Sequence, residues 1–179
     1  MTCDQERADC DNLLSLQPCG ECRACCYVFA LNDKSSRQWC KHSKSGVGCD
    51  CYPQRPDVCR GYQCQWRGSE LPSRFRPDAC GMIGTYRFTY GDHPVIVVSE
   101  VWPGAADLSV AKDLITMMMG AGKIVCVCLC DGRSWLWFRH LGLPSEEGPK
   151  ILDQLCSDTT AGLEKQRKMN FAFGSRGGA

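Results

Sequence analysis

The chain has 179 residues, with 21 Lys and Arg against 20 Asp and Glu and a net charge of +1. This balance gives no electrostatic case for a nucleic-acid or membrane-surface partner, and no apolar run approaches the roughly 18 residues of a membrane span. Sixteen cysteines in a chain that is 44% hydrophobic exclude wholesale disorder and leave two classes, a metal-thiolate protein or a disulfide scaffold.

The opening MTCDQERADCDN lacks the basic start and apolar stretch of an export signal. The expected compartment is therefore the reducing cytoplasm, where clustered cysteines bind metal more often than they form disulfides. Twelve of the cysteines fall in residues 1–80, at positions 3, 10, 19, 22, 25, 26, 40, 49, 51, 59, 64 and 80. The first cluster is Cys19-Gly20-Glu21-Cys22-Arg23-Ala24-Cys25-Cys26. Two-residue gaps let successive thiolates turn back onto one ion, and Gly20 permits the tight backbone. Adjacent Cys25 and Cys26 point in different directions, which suits two metals, or one metal and one structural role, better than a simple pair. Cys40 follows, then Cys49, Cys51, Cys59 and Cys64. Among the last four, Arg55 and Arg60 offset thiolate charge, while Pro53 and Pro56 stiffen the loop.

Composition shifts near Cys80. We divide the chain into a cysteine-rich metal-binding module (1–80), a small α+β part (81–157) and a C-terminal extension (158–179) whose FGSRGGA end reads as frayed. In the second part Thr85–Tyr90 alternates like a strand, and the β-branched Pro94–Val101 is a stronger one, stopped by Pro103 and Gly104. Val110, Leu114, Ile115 and Met118 recur at helical spacing, with Asp107 or Ser109 as cap and Gly120 and Gly122 as stop. The segments KIVCVCLC and RSWLWF flank Asp131-Gly132 and predict a hairpin. A shorter helix is expected over Pro149–Cys156. The fold class is α+β, an irregular cysteine-rich module on a small sheet with one main helix.

From Cys19 to Cys64 the pattern resembles the zinc- or iron-chelating CxxCxxCC proteins, the YkgJ-like group. The matching residues are Cys19, Cys22, Cys25 and Cys26, then Asp33 and Cys40, then Cys49, Tyr52, Arg55-Pro56, Cys59-Arg60, Tyr62 and Cys64. The resemblance implies metal binding through Cys19, Cys22, Cys25, Cys26, Cys40, Cys49, Cys59 and Cys64, with zinc or an iron–sulfur cluster as the cofactor. Cys51 departs from it, standing where the family usually has an apolar residue, and Cys3, Cys10 and Cys80 have no counterpart.

Eight thiolates fill two four-coordinate zinc ions, or one four-iron cluster with four thiols over. Three roles fit: a structural metal scaffold, an iron–sulfur redox enzyme, or a chaperone or sequestration protein for Cu(I) or zinc. No nucleophile elbow, paired-histidine zinc motif or carboxylate dyad selects an enzyme, and neither a phosphate-binding nor a dinucleotide-binding glycine loop is present. Cys126, Cys128 and Cys130 alternate on a predicted strand and are expected to behave as small hydrophobes buried against the helix. His42, two residues after Cys40, is an optional ligand, whereas His93 and His140 are expected at the surface. Trp102, Trp135, Trp137, Phe138 and Met117–Met119 read as core, and Trp39 and Trp66 as a shield over the metal.

Overall fold

The computed structural model describes residues 17–31 and 33–157. Cys3, Cys10 and the C-terminal extension lie outside them. The first half contains only short elements: helix α1 (Ala24–Val28), a two-residue hairpin of β1 (Ser43–Lys44) and β2 (Gly48–Cys49), and helices α2 (Asp57–Arg60) and α3 (Pro77–Cys80). The second half holds strands β3 (Met82–Tyr90) and β4 (His93–Glu100), helix α4 (Ser109–Gly120), and strands β5 (Ile124–Cys128) and β6 (Ser134–Trp137). A last helix, α5, covers residues 147–157. The fold is α+β.

The four long strands form one mixed sheet in the order β3-β4-β5-β6. β3 and β4 are an antiparallel hairpin, with a bulge between Tyr86 and Phe88. α4 then carries the chain back so that β5 runs parallel to β4, and β6 returns antiparallel. Strand alternation sorts the side chains onto two faces. Ile96, Val98, Val125 and Val127 meet Ala111, Leu114 and Met118 of α4. Val95, Ile124 and Cys126 meet Phe138 and α5 through Ile151 and Leu155. Both faces are covered, which explains why β4 and β5 read as continuous apolar runs.

The cysteine-rich half wraps the free edge of β3. Gln65 N donates to Gly84 O at 2.8 Å, and Gly84 needs to be small because a Cβ there would lie 3.1 Å from Gln65. On one side of this crossing Trp66, Phe75 and Cys80 enter the α4 core. On the other, Ala24 and Val28 pack with Ile83 and Val101.

Several expectations are corrected. α4 begins with Leu108 in the cap position and no side-chain cap, and Gly120 is its last residue rather than its stop; burial of one apolar face fixes this helix without a capping bond. The β5–β6 connection is wider than a two-residue turn: Leu129 N donates to Arg133 O at 2.8 Å and Gly132 takes φ +89°. This is a three-residue loop with glycine at the left-handed position. Trp102, Trp135 and Met117 are exposed rather than core: Trp135 and Met117 face solvent from β6 and α4, and Trp102 lies in the bend after β4. Cys126 packs against α5, not the main helix, and Cys130 lies in the turn beyond β5.

Candidate metal centre

Gly20 takes φ +53°, and the resulting turn lets Cys22 N donate to Cys19 O at 3.0 Å. α1 starts two residues later and carries Cys25 and Cys26 at consecutive helical positions, about 100° apart around the axis. Cys25 turns inward with Cys22 and Cys64, against the small cluster of Ala24, Val28 and Ile83. The Cys26 side chain stays hydrogen-bonded to that of Cys25, and its carbonyl accepts a hydrogen bond from Cys40 N at 3.1 Å. The β1–β2 hairpin brings Cys49 alongside, pairing Ser43 with Cys49. Gly48, at φ +97°, passes so close to the Cys19–Cys22 turn that a Cβ on it would sit 2.4 Å from Gly20 O.

The thiols act on one another in two sets that are joined at Cys25 and Cys26. Burial pushes the Cys22 thiol up to about 12, and Asp78 and Cys64 add to the rise. Burial also raises Cys64, with Cys19 contributing. The hydrogen bond with Cys26, then burial, then the charges of Cys26, Cys19 and Cys22 hold Cys25 well above its ordinary value. Cys59 is raised by burial and by a different set, Cys26, Cys40 and Cys49. Cys25 and Cys64 thus feel Cys19, Cys22 feels Cys64, Cys59 feels Cys26, Cys40 and Cys49, and the Cys25–Cys26 hydrogen bond joins the two sets. The bond from Cys25 lowers Cys26 to about 7 against the cost of burial, helped by Lys34 and Arg23.

This donor set fits a thiophilic cation. Buried thiols that raise one another cannot ionise together without a positive charge, and a coordinated metal ion supplies that charge. Within neither group do three sulfurs all lie within 4.8 Å of one another; among the described residues, the one trio of ligand-type side chains that does is His42, Asp50 and Cys51.

Cations surround the thiols. Arg55 is buried, donates from Nη1 to Tyr52 O at 3.0 Å and stacks 4.1 Å over the Tyr52 ring. Its charge opposes the rise of Cys59. Arg67 stands on the same ring at 5.9 Å and opposes the rise of Cys64. Lys34 donates to the Tyr27, Phe29 and Ser35 carbonyls beside Cys40, Cys26 and Cys25. Sequence reasoning missed Lys34 and Arg67, and only the position of Arg67 three residues after Cys64 hinted at its role. Arg60 pairs with Asp57 of its own helix, and Asp33 pairs with Lys41 at 2.9 Å on the exterior.

Of the two tryptophans expected to shield the thiols, Trp66 is buried beside Cys64 in the α4 core. Trp39 is 54% exposed, stacked on Tyr27 at 4.8 Å and under Arg23 at 4.6 Å, so it does not exclude water. These residues line a cleft of about 520 Å³ with Glu21, Asp78 and Trp102, beside the first cysteine turn.

The remaining thiols have other surroundings. Cys80 is fully buried and donates to the Phe75 and Met82 carbonyls, both at 3.4 Å. Cys130 accepts from Arg37 Nη1 at 2.9 Å, while its backbone N–H donates to Glu100 Oε2 at 2.9 Å. No disulfide joins any of the fourteen described cysteines. His140 is exposed, and His93 lies 3.1 Å from Gly122 O. No helix among the described residues is long and apolar enough to cross a membrane.

Compared with protein-family models, curated proteins and solved structures, the chain matches none. The resemblance of residues 19–64 to the CxxCxxCC group therefore stands on its motif residues alone.

Proposed function

We propose that this is a metal-binding protein of a reducing compartment, the cytoplasm, holding zinc through two sets of four thiolates. One set is Cys19, Cys22, Cys25 and Cys64; the other is Cys26, Cys40, Cys49 and Cys59. The observation that supports this reading is the gathering of the thiols from chain segments up to 45 residues apart, as 64 minus 19: Cys22, Cys25 and Cys64 meet on one apolar cluster beside the Cys19 turn, and the Cys26 carbonyl and the hairpin bring Cys40 and Cys49 near Cys59. Closed four-thiolate sites of this kind hold a fold together. The short elements of residues 17–80 bury few apolar side chains of their own, so a metal contribution to their stability is expected. Arg55, Arg67, Lys34 and Arg23 would balance the excess negative charge and steady the sulfurs.

A second reading has one observation in its favour. The cleft lined by Glu21, Arg23 and Ala24, which flank Cys22 in the chain, offers room for a substrate near an iron–sulfur cluster, as a redox enzyme requires. Anaerobic purification followed by an absorbance spectrum and elemental analysis of the same sample separates the two. A colourless protein with about two zinc ions per chain supports the first. A brown protein with about four iron and four sulfide supports the second. Absence of metal, with the thiols titrating as disulfides, refutes both.

A further inference from the structure

We infer that His42, Asp50 and Cys51 form an additional, solvent-facing site for a zinc-class divalent cation, separate from the eight inner thiols. One ligand atom from each of the three lies within 4.8 Å of the other two. The hairpin fixes this arrangement through the backbone. β1 and β2 pair Ser43 with Cys49, and just beyond that pair Asp50 N donates to His42 O at 2.9 Å. The two side chains are thus held opposite each other, with His42 Nδ1 3.0 Å from Asp50 Oδ1. Cys51 follows directly and is anchored from the other side, its carbonyl accepting from Gln54 N at 2.9 Å.

Donor chemistry selects the ion. A thiolate and an imidazole disfavour magnesium and calcium, which take oxygen ligands, while a carboxylate disfavours Cu(I). Mixed sulfur, nitrogen and oxygen donors suit zinc. Three protein ligands leave one tetrahedral position open, the arrangement of zinc sites that exchange or activate a fourth ligand rather than lock a fold. Accessibility agrees, since the His42 and Asp50 side chains are 37% and 38% exposed. Lys44 stands 3.7 Å from Asp50 and is the cation that metal would displace.

The position relative to the inner thiols gives the site a use. Cys51 Sγ lies 3.7 Å from Cys49 Sγ, and Cys49 belongs to the second inner group. An ion held at the surface by His42, Asp50 and Cys51 is therefore one ligand exchange from the buried sulfurs, and the site serves as their loading point. That use rests on the proposed inner centres, whereas the site itself does not.

The test is a cobalt(II) titration of the full reduced chain with its tightly held metal in place, following the thiolate-to-cobalt charge-transfer band. The expected result is one further, weaker equivalent whose band disappears in Cys51→Ser and whose affinity falls about 10–100-fold in Asp50→Asn. His42→Ala, an independent change on the exposed hairpin, should also weaken it while inner metal content and circular dichroism stay at wild-type values. Absence of a further equivalent, or one unchanged in Cys51→Ser and His42→Ala, overturns the site. Absence of tight metal with the weak equivalent still present refutes the inner centres and leaves the surface site standing.

Discussion

Serine substitution at the adjacent residues Cys25 and Cys26 should disable different centres. Their sulfurs are hydrogen-bonded to each other, but beyond that contact each feels different distant partners: Cys25 feels Cys19 and Cys22, and Cys26 acts on Cys59. Cys25→Ser should therefore behave like Cys64→Ser, and Cys26→Ser like Cys59→Ser. Each single variant should lose about one of two ions, because a three-thiolate remnant no longer closes the site. The energetic consequence is large. A structural zinc contributes about 10–16 kcal/mol of binding free energy, against a total stability of about 5–15 kcal/mol for a typical domain. The inner cluster contains four buried side chains, Ala24, Val28, Ile83 and Val101, and an apolar side chain of Val or Ile size contributes about 1.5–3 kcal/mol. It cannot replace a lost ion, so the cysteine-rich half should melt while the sheet, with its own two cores, persists. Elemental analysis with near- and far-ultraviolet circular dichroism reads both effects. If Cys25→Ser and Cys26→Ser are indistinguishable while Cys64→Ser and Cys59→Ser differ, the division into two groups is refuted.

Other changes test neighbouring parts of the argument. Gly48→Ala alters no ligand, yet its Cβ would meet Gly20 O at 2.4 Å and it forces a side chain onto φ +97°; metal content should fall, and retention of the full complement would count against the hairpin's role. Glu100 is 3% exposed and accepts from Cys130 N and Ala106 N at 2.9 and 3.1 Å. Removing it in Glu100→Ala leaves two amides unpaired, a loss of about 2–5 kcal/mol in urea unfolding. Burial opposes the Glu100 charge, but those amides outweigh it and hold the carboxyl below its ordinary value. Its contribution is therefore complete above the usual carboxylate range and lost as pH falls through the lower native value, so the acid limb of the stability profile should flatten in Glu100→Ala. Leu114→Ala, at a site 2% exposed between α4 and the sheet, should cost about 2–5 kcal/mol and leave metal content unchanged. Loss of metal in that variant would show that the two halves are not separable in this way.

The parts of the fold that were readable in the sequence are those that carry their own periodicity. The β-branched run Pro94–Val101 reads as a strand and lies in β4 up to Glu100, and Val110, Leu114, Ile115 and Met118 mark one face of α4. Adjacency suggested that Cys25 and Cys26 would diverge, yet their side chains are hydrogen-bonded to each other. What stayed hidden depends on contacts distant in sequence. The first residues of β3, Met82-Ile83-Gly84, follow a helix and a glycine with no strand-like alternation, and only β4 and Gln65 make them a strand. Lys34 sits in no motif, and its role comes from α1 folding back over it. Arg37, at φ +59°, reaches 92 and 93 positions along the chain to Leu129 O and Cys130. Trp39, Trp102 and Trp135 are apolar in composition but exposed in place, because residue type does not say which way a strand or an irregular segment turns it. His42, Asp50 and Cys51 become a cluster only once the hairpin closes.

The crossing of Gln65 over Gly84 has a consequence for the protein when metal is scarce. β3 is the outermost strand of the sheet, and an uncovered strand edge recruits other chains through its free amides and carbonyls. Here the cover is the segment after Cys64, a proposed ligand. If the ion leaves, that segment loses its anchor, and the row from Met82 to Tyr90 becomes available for pairing between molecules. Metal starvation would then be felt first as loss of solubility, before the sheet itself unfolds.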